Sequence, residues 1–185
     1  MKKLTKTIYE WIEAITVSLI IFIYVFTLVF NIISVDGASM ENTLHSKERM
    51  IIMNINYEPK KGDIVVISRN KYNETYDEQV KNSRDKTPII KRVIATEGDT
   101  INIIDGDVFI NTEKQTEKYL EEGLKTVTRD MEFPITIKHG EIFVMGDNRN
   151  FSMDSRDSRI GVVETKYILG KAILRIFPFD KIKTF

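Results

Sequence analysis

Residues 14–35 form the longest apolar run of the chain and contain no charged side chain. A helix needs about 20 apolar residues to cross the hydrocarbon core of a bilayer, so this run predicts a transmembrane anchor. A cleaved secretory signal is the alternative, but its apolar region spans about 7–15 residues and ends at a small-residue cleavage site. This run is longer and has no clean site of that kind. It also lacks the polar face of a core helix in a soluble protein.

The charges before the apolar run predict its orientation. Basic residues precede it: Lys2, Lys3 and Lys6. Basic flanks stay in the cytoplasm, and acidic residues contribute little to this choice. We therefore predict a cytoplasmic tail over residues 1–13, a single-pass anchor in the cell membrane over 14–35, and an extracytoplasmic domain over 36–185.

Beyond the anchor, short β-branched and aromatic runs alternate with Gly and Asp turn signals. The runs that predict strands are RMIIMNI, KKGDIVVIS, PIIKRVIAT, DTINII, DGDVFIN, EIFVMGDN and GKAILRIFPF. Many short strands with regular turns are typical of antiparallel β domains. The predicted fold class is mostly β, an antiparallel core preceded by one transmembrane helix.

Two polar stretches interrupt this pattern. Residues 69–88 are poor in aliphatic side chains and predict a surface loop or mobile hairpin. Residues 105–140 predict an inserted cap subdomain, which divides the core into 36–104 and 141–185. Within the cap, TEKQTEKYLEEGLK (112–125) predicts either a short helix or a charged loop.

The composition removes several classes of function. The formal net charge is zero, so there is no basic excess to bind the phosphates of a nucleic acid. There is no cysteine, which excludes thiol nucleophiles, disulfides and cysteine-bound metals. With only two histidines, a histidine-rich metal site is not expected. We therefore predict no metal and no nucleic-acid partner.

Ser39 follows the anchor within SVDGASMENTL and is a candidate nucleophile. A serine nucleophile needs a base, and histidine is the familiar one. His45 and His139 are available, but nothing in the pattern brings either to Ser39, and we interpret both as surface residues. Lysine is the other possible base, provided that burial lowers its pKa enough to leave it neutral.

Lys91 is the lysine with apolar surroundings, because it lies within PIIKRVIA. On a strand, its side chain shares a face with Ile89 and Val93, and Arg92 points the other way. One cation of this pair is then placed among aliphatic side chains. An edge strand with both cations reaching water explains the same pattern. The residue pattern alone does not choose between these two interpretations.

A dense polar cluster follows the apolar run EIFV, in MGDNRNFSMDSRDSR (145–159). Its members predict either a solvated loop or a buried network in which Asp–Arg pairs fix a turn. The spacing does not fit a calcium loop of the EF-hand type, which needs glycine at position six and glutamate at position twelve.

These stretches together resemble the type I signal peptidases of Gram-positive bacteria, membrane-bound serine proteases that remove signal peptides from exported proteins. SMENTL is similar to the family's Ser-Met-x-Pro-Thr-Leu box, and KKGDIVV to its Gly-Asp strand box. IIKRVIATEGD is similar to the Lys-Arg-Val box. GDNRNFSMDSR matches the Gly-Asp-Asn-Arg-x-x-Ser-x-Asp-Ser-Arg box throughout. The resemblance covers the anchor and the whole domain behind it.

The resemblance implies an endopeptidase that acts on the signal peptides of preproteins at the lipid membrane, with a serine–lysine dyad and no cofactor. It places the nucleophile at Ser39, the general base at Lys91, and a residue that orients the base at Ser152. The backbone N–H of Ser39 is implied as an oxyanion donor. Orienting or structural roles fall to Asp154, Arg156, Asp147 and Arg149. Shallow pockets for small substrate residues are implied at Ile33, Val35, Met40, Leu44 and Ile90.

The chain departs from the family pattern at Asn42, where the box has proline. Because relatives carry proline there, the resemblance predicts that Asn42→Pro is tolerated. Two alternatives to a general signal peptidase are a non-catalytic or pilin-dedicated assembly factor and a self-cleaving regulator. The former lacks the Ser/Lys pair in some family-like proteins, whereas this chain has both residues. The latter would need a DNA-binding domain where the anchor stands.

Overall fold

The computed structural model describes residues 2–55, 57–68 and 87–185, and the chain divides into two compact units, Met1–Asn31 and Ile32–Phe185. The predicted loop at 69–88 therefore falls almost entirely outside the described residues. All residues discussed below as candidate catalytic groups belong to the second unit.

The first unit is a helix, α1, which runs from Lys2 to Val29. Its stretch Thr5–Val29 is long and apolar enough to cross a membrane. The helix ends before residue 35, because Phe30–Ser34 forms a strand, β1. Aromatic and β-branched residues in this segment favour the extended conformation. The exact bounds of the anchor, 14–35, stay a prediction.

The second unit confirms the predicted antiparallel β fold. Its main sheet has eight strands in the order β1-β2-β11-β3-β4-β9-β10, and β12 pairs with β11. The strands are β2 (Arg49–Met53), β3 (Ile64–Ile67), β4 (Ile89–Thr96), β9 (Glu141–Met145), β10 (Val163–Glu164), β11 (Ile168–Phe177) and β12 (Lys183–Thr184). Short 3-10 helices at Thr165–Tyr167 and Phe179–Lys181 flank β11.

A smaller sheet of four strands lies between β4 and β9 in the sequence, in the order β7-β6-β5-β8. Its strands are β5 (Thr100–Ile104), β6 (Asp107–Ile110), β7 (Glu113–Lys114) and β8 (Ile135–Thr136). The sheet thus begins at β5, before the predicted cap boundary at residue 105. That boundary stays a prediction.

The segment 112–125 contains no helix, so the helical alternative was wrong and the loop alternative was right. After β7 the chain is irregular. The segment has too few apolar residues at helical spacing to bury one face of a helix. Glu117 instead contacts Arg149, as described below. Tyr119 contacts Arg92 of β4.

Strand β4 is an interior strand of the main sheet, paired with β3 on one side and β9 on the other. Lys91 stands opposite Val65 of β3, and Arg92 opposite Ile64 of β3 and Met145 of β9. The interpretation of β4 as an edge strand with two solvated cations was therefore wrong. An interior position leaves Lys91 only 3% exposed and Arg92 9%.

Candidate active site

Ser39 lies in an irregular segment that we call the nucleophile turn, residues 36–44. The N–H groups of Thr43 and Leu44 both donate to the carbonyl of Met40, at 3.0 and 2.8 Å. The side chains of Met40 and Leu44 are buried in the core. Each such burial contributes about 1.5–3 kcal/mol, so these two apolar side chains fix the part of the turn after Ser39 to the core. Ser39 itself is half-buried, which leaves its hydroxyl within reach of a substrate.

Lys91 and Ser39 come into direct contact. The Nζ of Lys91 donates to Ser39 Oγ at 2.8 Å and to the carbonyl of Ile90 at 3.1 Å. The two residues are 52 positions apart in the chain, so the contact depends on the fold. Burial disfavours the charged form of an amine, and it therefore favours the neutral form that can accept a proton. A buried amine next to a half-exposed hydroxyl is an arrangement suited to nucleophilic catalysis.

The chain after β9 contacts the nucleophile turn from the other side. We call residues 146–160 the motif loop. The backbone N–H of Asn148 donates to the carbonyl of Ser39 at 3.0 Å, and its side-chain Nδ2 donates to the carbonyl of Ala38 at 3.1 Å. Gly146 lies so close to Ser39 and Ser152 that a Cβ there would overlap the Ser39 carbonyl oxygen and the Ser152 hydroxyl.

Asp147 joins the far end of the nucleophile turn to β4. It accepts from the Thr43 hydroxyl at 2.5 Å and from two nitrogens of Arg92, at 2.8 and 2.6 Å. Arg92 also donates to the carbonyl of Gly62 at 2.7 Å. Burial opposes the charge of Arg92, but its hydrogen bonds to the Asp147 carboxylate and the charge of that carboxylate raise the pKa of Arg92 above its usual value. Arg92 therefore remains charged throughout the physiological range.

Asp154 and Arg156 form a second buried pair inside the motif loop. Two nitrogens of Arg156 donate to the two carboxylate oxygens at 2.8 Å each, and the N–H of Gly146 donates to the same carboxylate at 3.0 Å. Burial raises the pKa of Asp154, but the Arg156 hydrogen bonds and charge outweigh burial and lower it below the ordinary value. Asp–Arg pairs thus fix this loop, as one of the two sequence interpretations predicted.

Ser152 is fully buried, and its Oγ makes no hydrogen bond of good geometry in the described part of the chain. The hydroxyl nevertheless lies close enough to Asp154 to contribute to the lowered pKa of that carboxyl. Its place beside Gly146 puts it next to the nucleophile turn. The expected role of Ser152 in orienting Lys91 stays a prediction.

The candidate pocket residues come together in one apolar cluster. Its members include Val35, Met40, Leu44, Ile90 and, at its margin, Ile33. Apart from Ile33 they are less than a tenth exposed, so they belong to the core and do not line an open cavity. Their role in substrate binding stays a prediction.

Neither histidine contacts Ser39 among the interactions of the described residues. His45 is exposed, and His139 pairs through Nδ1 with Glu97 at 2.8 Å on the surface. No group of three or more potential metal-binding side chains occurs within residues 2–55, 57–68 and 87–185.

The sequence analysis missed a third buried pair, Glu48 and Arg175. Arg175 Nη1 donates to both carboxylate oxygens at 2.8 and 2.9 Å, and to the carbonyl of Thr43 at 3.3 Å. Arg175 therefore supports the nucleophile turn from β11. The available signal was an arginine within the apolar run AILRIF, since this places a charged side chain in a strand of the core.

Asn42 has a backbone φ of +82°, in the left-handed region. Asparagine tolerates this region better than most residues, whereas proline is locked near −65°. This φ argues against the expectation that Asn42→Pro is tolerated, which assumed the backbone path of the family box. Proline at this position would require a different path of the turn between Ser39 and Thr43.

The sequence of the chain also matches known proteins. Residues 8–177 match the family described as signal peptidase, peptidase S26. The chain belongs to the signal peptidase family. Family membership makes it a serine peptidase, and together with the apolar helix it indicates a membrane-anchored protein whose substrates are preproteins.

Relatives in the signal peptidase family match over nearly the full chain. Signal peptidase I P of Bacillus subtilis subsp. natto is 35% identical over 98% of this chain and 96% of its own length. Signal peptidase I of Bacillus licheniformis is 33% identical over 96% and 92%, respectively. Signal peptidase IB of Staphylococcus aureus (strain COL) is 31% identical over 96% and 94%. The predicted family and enzyme class are thereby confirmed.

Among solved structures, the chain is similar to a signal peptidase I from Enterococcus faecalis V583. The identity is 24% and the TM-score 0.46, over 62% of this chain and 97% of that one.

Proposed function

We propose that this protein is a membrane-bound serine endopeptidase that removes N-terminal signal peptides by a dyad of Ser39 and Lys91. The observation that carries the assignment of these residues is the 2.8 Å contact between Lys91 Nζ and Ser39 Oγ, with the lysine buried on an interior strand. Family membership supports the reaction, and the contact supports the residues that perform it.

The first step is acylation. In the neutral form of Lys91, the hydroxyl of Ser39 donates to the amine, which takes the proton as Oγ attacks the scissile carbonyl carbon. The Oγ–C bond forms, and the carbonyl oxygen becomes an oxyanion. The backbone N–H of Ser39 has no other partner among the described residues, which supports its assignment as the donor that stabilises that charge. The C–N bond then breaks, and the ammonium of Lys91 returns the proton to the departing amine.

The second step is deacylation. Lys91, neutral again, takes a proton from a water molecule, which attacks the acyl carbon. The Oγ–C bond breaks, and the proton on Lys91 returns to Ser39. The carboxylate product is the end of the released signal peptide. Ser152 is assigned to orient Lys91 through both steps, and Asp154 with Arg156 to fix the motif loop.

The location of the reaction follows from the sequence before the helix. The basic tail predicts that the N-terminus faces the cytoplasm and that residues 36–185 face the outside. Ser39 follows helix α1 closely in the chain, and a substrate is itself held in the membrane by its apolar segment. Confinement of both to one membrane raises the effective concentration of the cleavable bond.

Cleavage of a synthetic preprotein by the full-length protein in detergent tests the proposal. Wild type should yield two products at one bond, and Ser39→Ala should yield none. Retention of cleavage by Ser39→Ala would remove Ser39 from the mechanism. External protease on intact protoplasts tests the orientation, since it should degrade residues 36–185, and protection of that domain would reverse the topology.

A pilin-dedicated or non-catalytic assembly factor is the second candidate. The contact between Ser39 and Lys91 disfavours the non-catalytic form. A panel of secretory and pilin precursors in the same assay separates a general enzyme from a dedicated one.

A further inference from the structure

Tyr119, in the irregular segment between the strands of the smaller sheet, stacks on a side chain that supports the catalytic site. The guanidinium carbon of Arg92 lies 4.1 Å from the centre of the Tyr119 ring. Arg92 in turn holds Asp147, and Asp147 holds the hydroxyl of Thr43 at the end of the nucleophile turn. A guanidinium over the face of a tyrosine ring is attracted by the negative charge of that face. One chain of contacts thus leads from Tyr119 to Thr43.

Glu117 begins a second chain of contacts. Its carboxylate accepts from both terminal nitrogens of Arg149, a side chain with no exposed surface. Arg149 Nε donates to the carbonyl of Gly146 at 3.2 Å. Gly146 packs directly against the carbonyl of Ser39, so this second chain ends at the nucleophile itself.

The two chains are joined at their origin. The hydroxyl of Tyr119 donates to Glu117 at 2.7 Å. Burial, and then the nearby charge of Glu117, raise the pKa of Tyr119, so the hydroxyl remains a donor at all physiological pH values. Tyr119 and Glu117 are therefore bonded to each other and connected to the nucleophile turn at two points, Thr43 and Ser39.

We propose that Tyr119 and Glu117 are positioning residues for the nucleophile turn, acting through Arg92 and Asp147 on Thr43 and through Arg149 and Gly146 on Ser39. The proposal rests on the proposed dyad mechanism. Neither residue belongs to the sequence boxes around Ser39, Lys91 and the motif loop. Both lie in a segment whose composition indicated only a charged loop.

The physical basis is the precision that the dyad requires. Displacement of a reacting group by about 1 Å can cost on the order of 100-fold in rate. The nucleophile turn is irregular, so its position depends on the groups that hold it. If the Tyr119 ring is lost, Arg92 and Asp147 retain their own pair, but the guanidinium gains freedom to tilt. Thr43 then moves with the carboxylate that holds it.

Steady-state kinetics of the full-length protein in detergent test this role. Tyr119→Leu removes the ring and should lower kcat roughly 10- to 100-fold, with KM within about twofold of wild type. Tyr119→Phe keeps the ring over Arg92 and loses only the hydroxyl, so it should restore kcat to within about threefold. Glu117→Gln keeps the shape but weakens the hold on Arg149, and its kcat should lie between the two.

Tyr167→Leu is the matched control, because Tyr167 also stacks with a cation: Lys166 Nζ lies 5.0 Å from the centre of its ring. Tyr167 takes part in neither of the two series of contacts described above. It should leave kcat unchanged. Thermal unfolding of every variant shows whether the protein remains folded at the assay temperature.

Three outcomes would overturn the proposal. The first is wild-type kcat in folded Tyr119→Leu. The second is an equal loss of kcat in Tyr167→Leu, which would mean a general loss of structure. The third is a rise in KM at constant kcat. Tyr119 and Thr43 both line a cleft of about 570 Å³, and that result would assign Tyr119 to substrate binding. Ser39→Ala in the same assay separates these outcomes from failure of the dyad itself, since only the latter leaves Ser39→Ala active.

Discussion

Lys91 stands on β4, whose backbone pairs with β3 on one side and β9 on the other, whereas Ser39 stands in an irregular turn. The position of the lysine is a property of the sheet. The position of the serine is set by a few separate contacts, which come from the motif loop and from β11. The dyad thus joins a group held by regular structure to a group held by individual side chains.

This difference predicts how strongly the position of each residue depends on single substitutions around it. A single substitution beside Lys91 changes one pair in a ladder that many other bonds maintain. A single substitution at Asp147 or Asn148 removes one of the few hydrogen-bonded contacts that hold the turn. The five predictions that follow probe the two halves in order of decreasing expected effect.

The largest effect is expected when either reacting group is removed. Lys91→Ala should abolish turnover as completely as Ser39→Ala, and Lys91→Arg should also be inactive because a guanidinium stays protonated. The double variant Ser39→Ala/Lys91→Ala should be scarcely worse than either single variant, since groups that act in one step are not additive. Single-turnover cleavage of a preprotein measures all four. Substantial activity in Lys91→Ala would transfer the base to another residue.

Asp147→Asn should produce the largest loss of stability in the turn. It leaves the buried Arg92 without its carboxylate, and breaking a buried pair costs about 3–5 kcal/mol. Denaturant unfolding should show that loss, together with reduced kcat. Asp107→Asn is the control, because Asp107 pairs with Lys114 and Lys125 on the surface. An exposed pair contributes little to stability, because water and salt screen it. Equal losses in the two variants would contradict the importance of Asp147.

Asn42→Pro should lower kcat at least about tenfold, because proline cannot adopt a φ of +82° and the turn must move. Asn42→Gly is the matched variant, since glycine adopts positive φ without strain. It should keep near wild-type kcat. If proline were accepted as readily as glycine, the turn in solution would follow another path.

Asn148→Ala should have a moderate effect. It removes the side-chain bond to the Ala38 carbonyl, worth about 1 kcal/mol, and keeps the backbone bond to Ser39. We expect kcat to fall a few-fold. Asn150→Ala, at an exposed position in the same loop, should change nothing. Identical behaviour of the two variants would show that the side chain of Asn148 does not hold the turn.

His139→Ala should have the smallest effect, with kcat unchanged. The hydrogen bond to Glu97 raises the pKa of His139, and the hydrogen bond to His139 lowers the pKa of Glu97. The first contribution to stability is lost as pH rises above the ordinary histidine value of 6.5, and the second as pH falls below the ordinary glutamate value of 4.5. Any loss of thermal stability in His139→Ala should therefore fall between those values. Loss of activity would make His139 the base instead of Lys91.

The same contrast explains what could be predicted from the sequence. Lys91 was a candidate because a cation within an aliphatic run is a local pattern, but that pattern also fitted an edge strand, and the family resemblance chose Lys91 as the base. A pair such as Asp154 and Arg156 was one of two open interpretations because its members are neighbours in the chain. Both kinds of information lie within a short window of residues.

What could not be predicted depends on contacts between distant segments. Glu48 and Arg175 are 127 positions apart, and nothing near either one indicates the partner. Glu117 and Tyr119 lie in a polar stretch with no period, so no pattern distinguished them from solvated residues. The left-handed conformation of Asn42 was missed because the family box suggested the backbone of a proline.

Gly146 has a consequence for how variation in this chain would be interpreted. It takes no part in proton transfer and carries no side chain, yet the space beside its Cα is already filled by the Ser39 carbonyl and the Ser152 hydroxyl. In a library that substitutes every position, residue 146 should therefore score as deleterious as the dyad, even for alanine. Such a scan would rank Gly146 with the residues that carry out the reaction, although the constraint at this position is the lack of space for a side chain. Only the packing around Gly146 distinguishes these two causes.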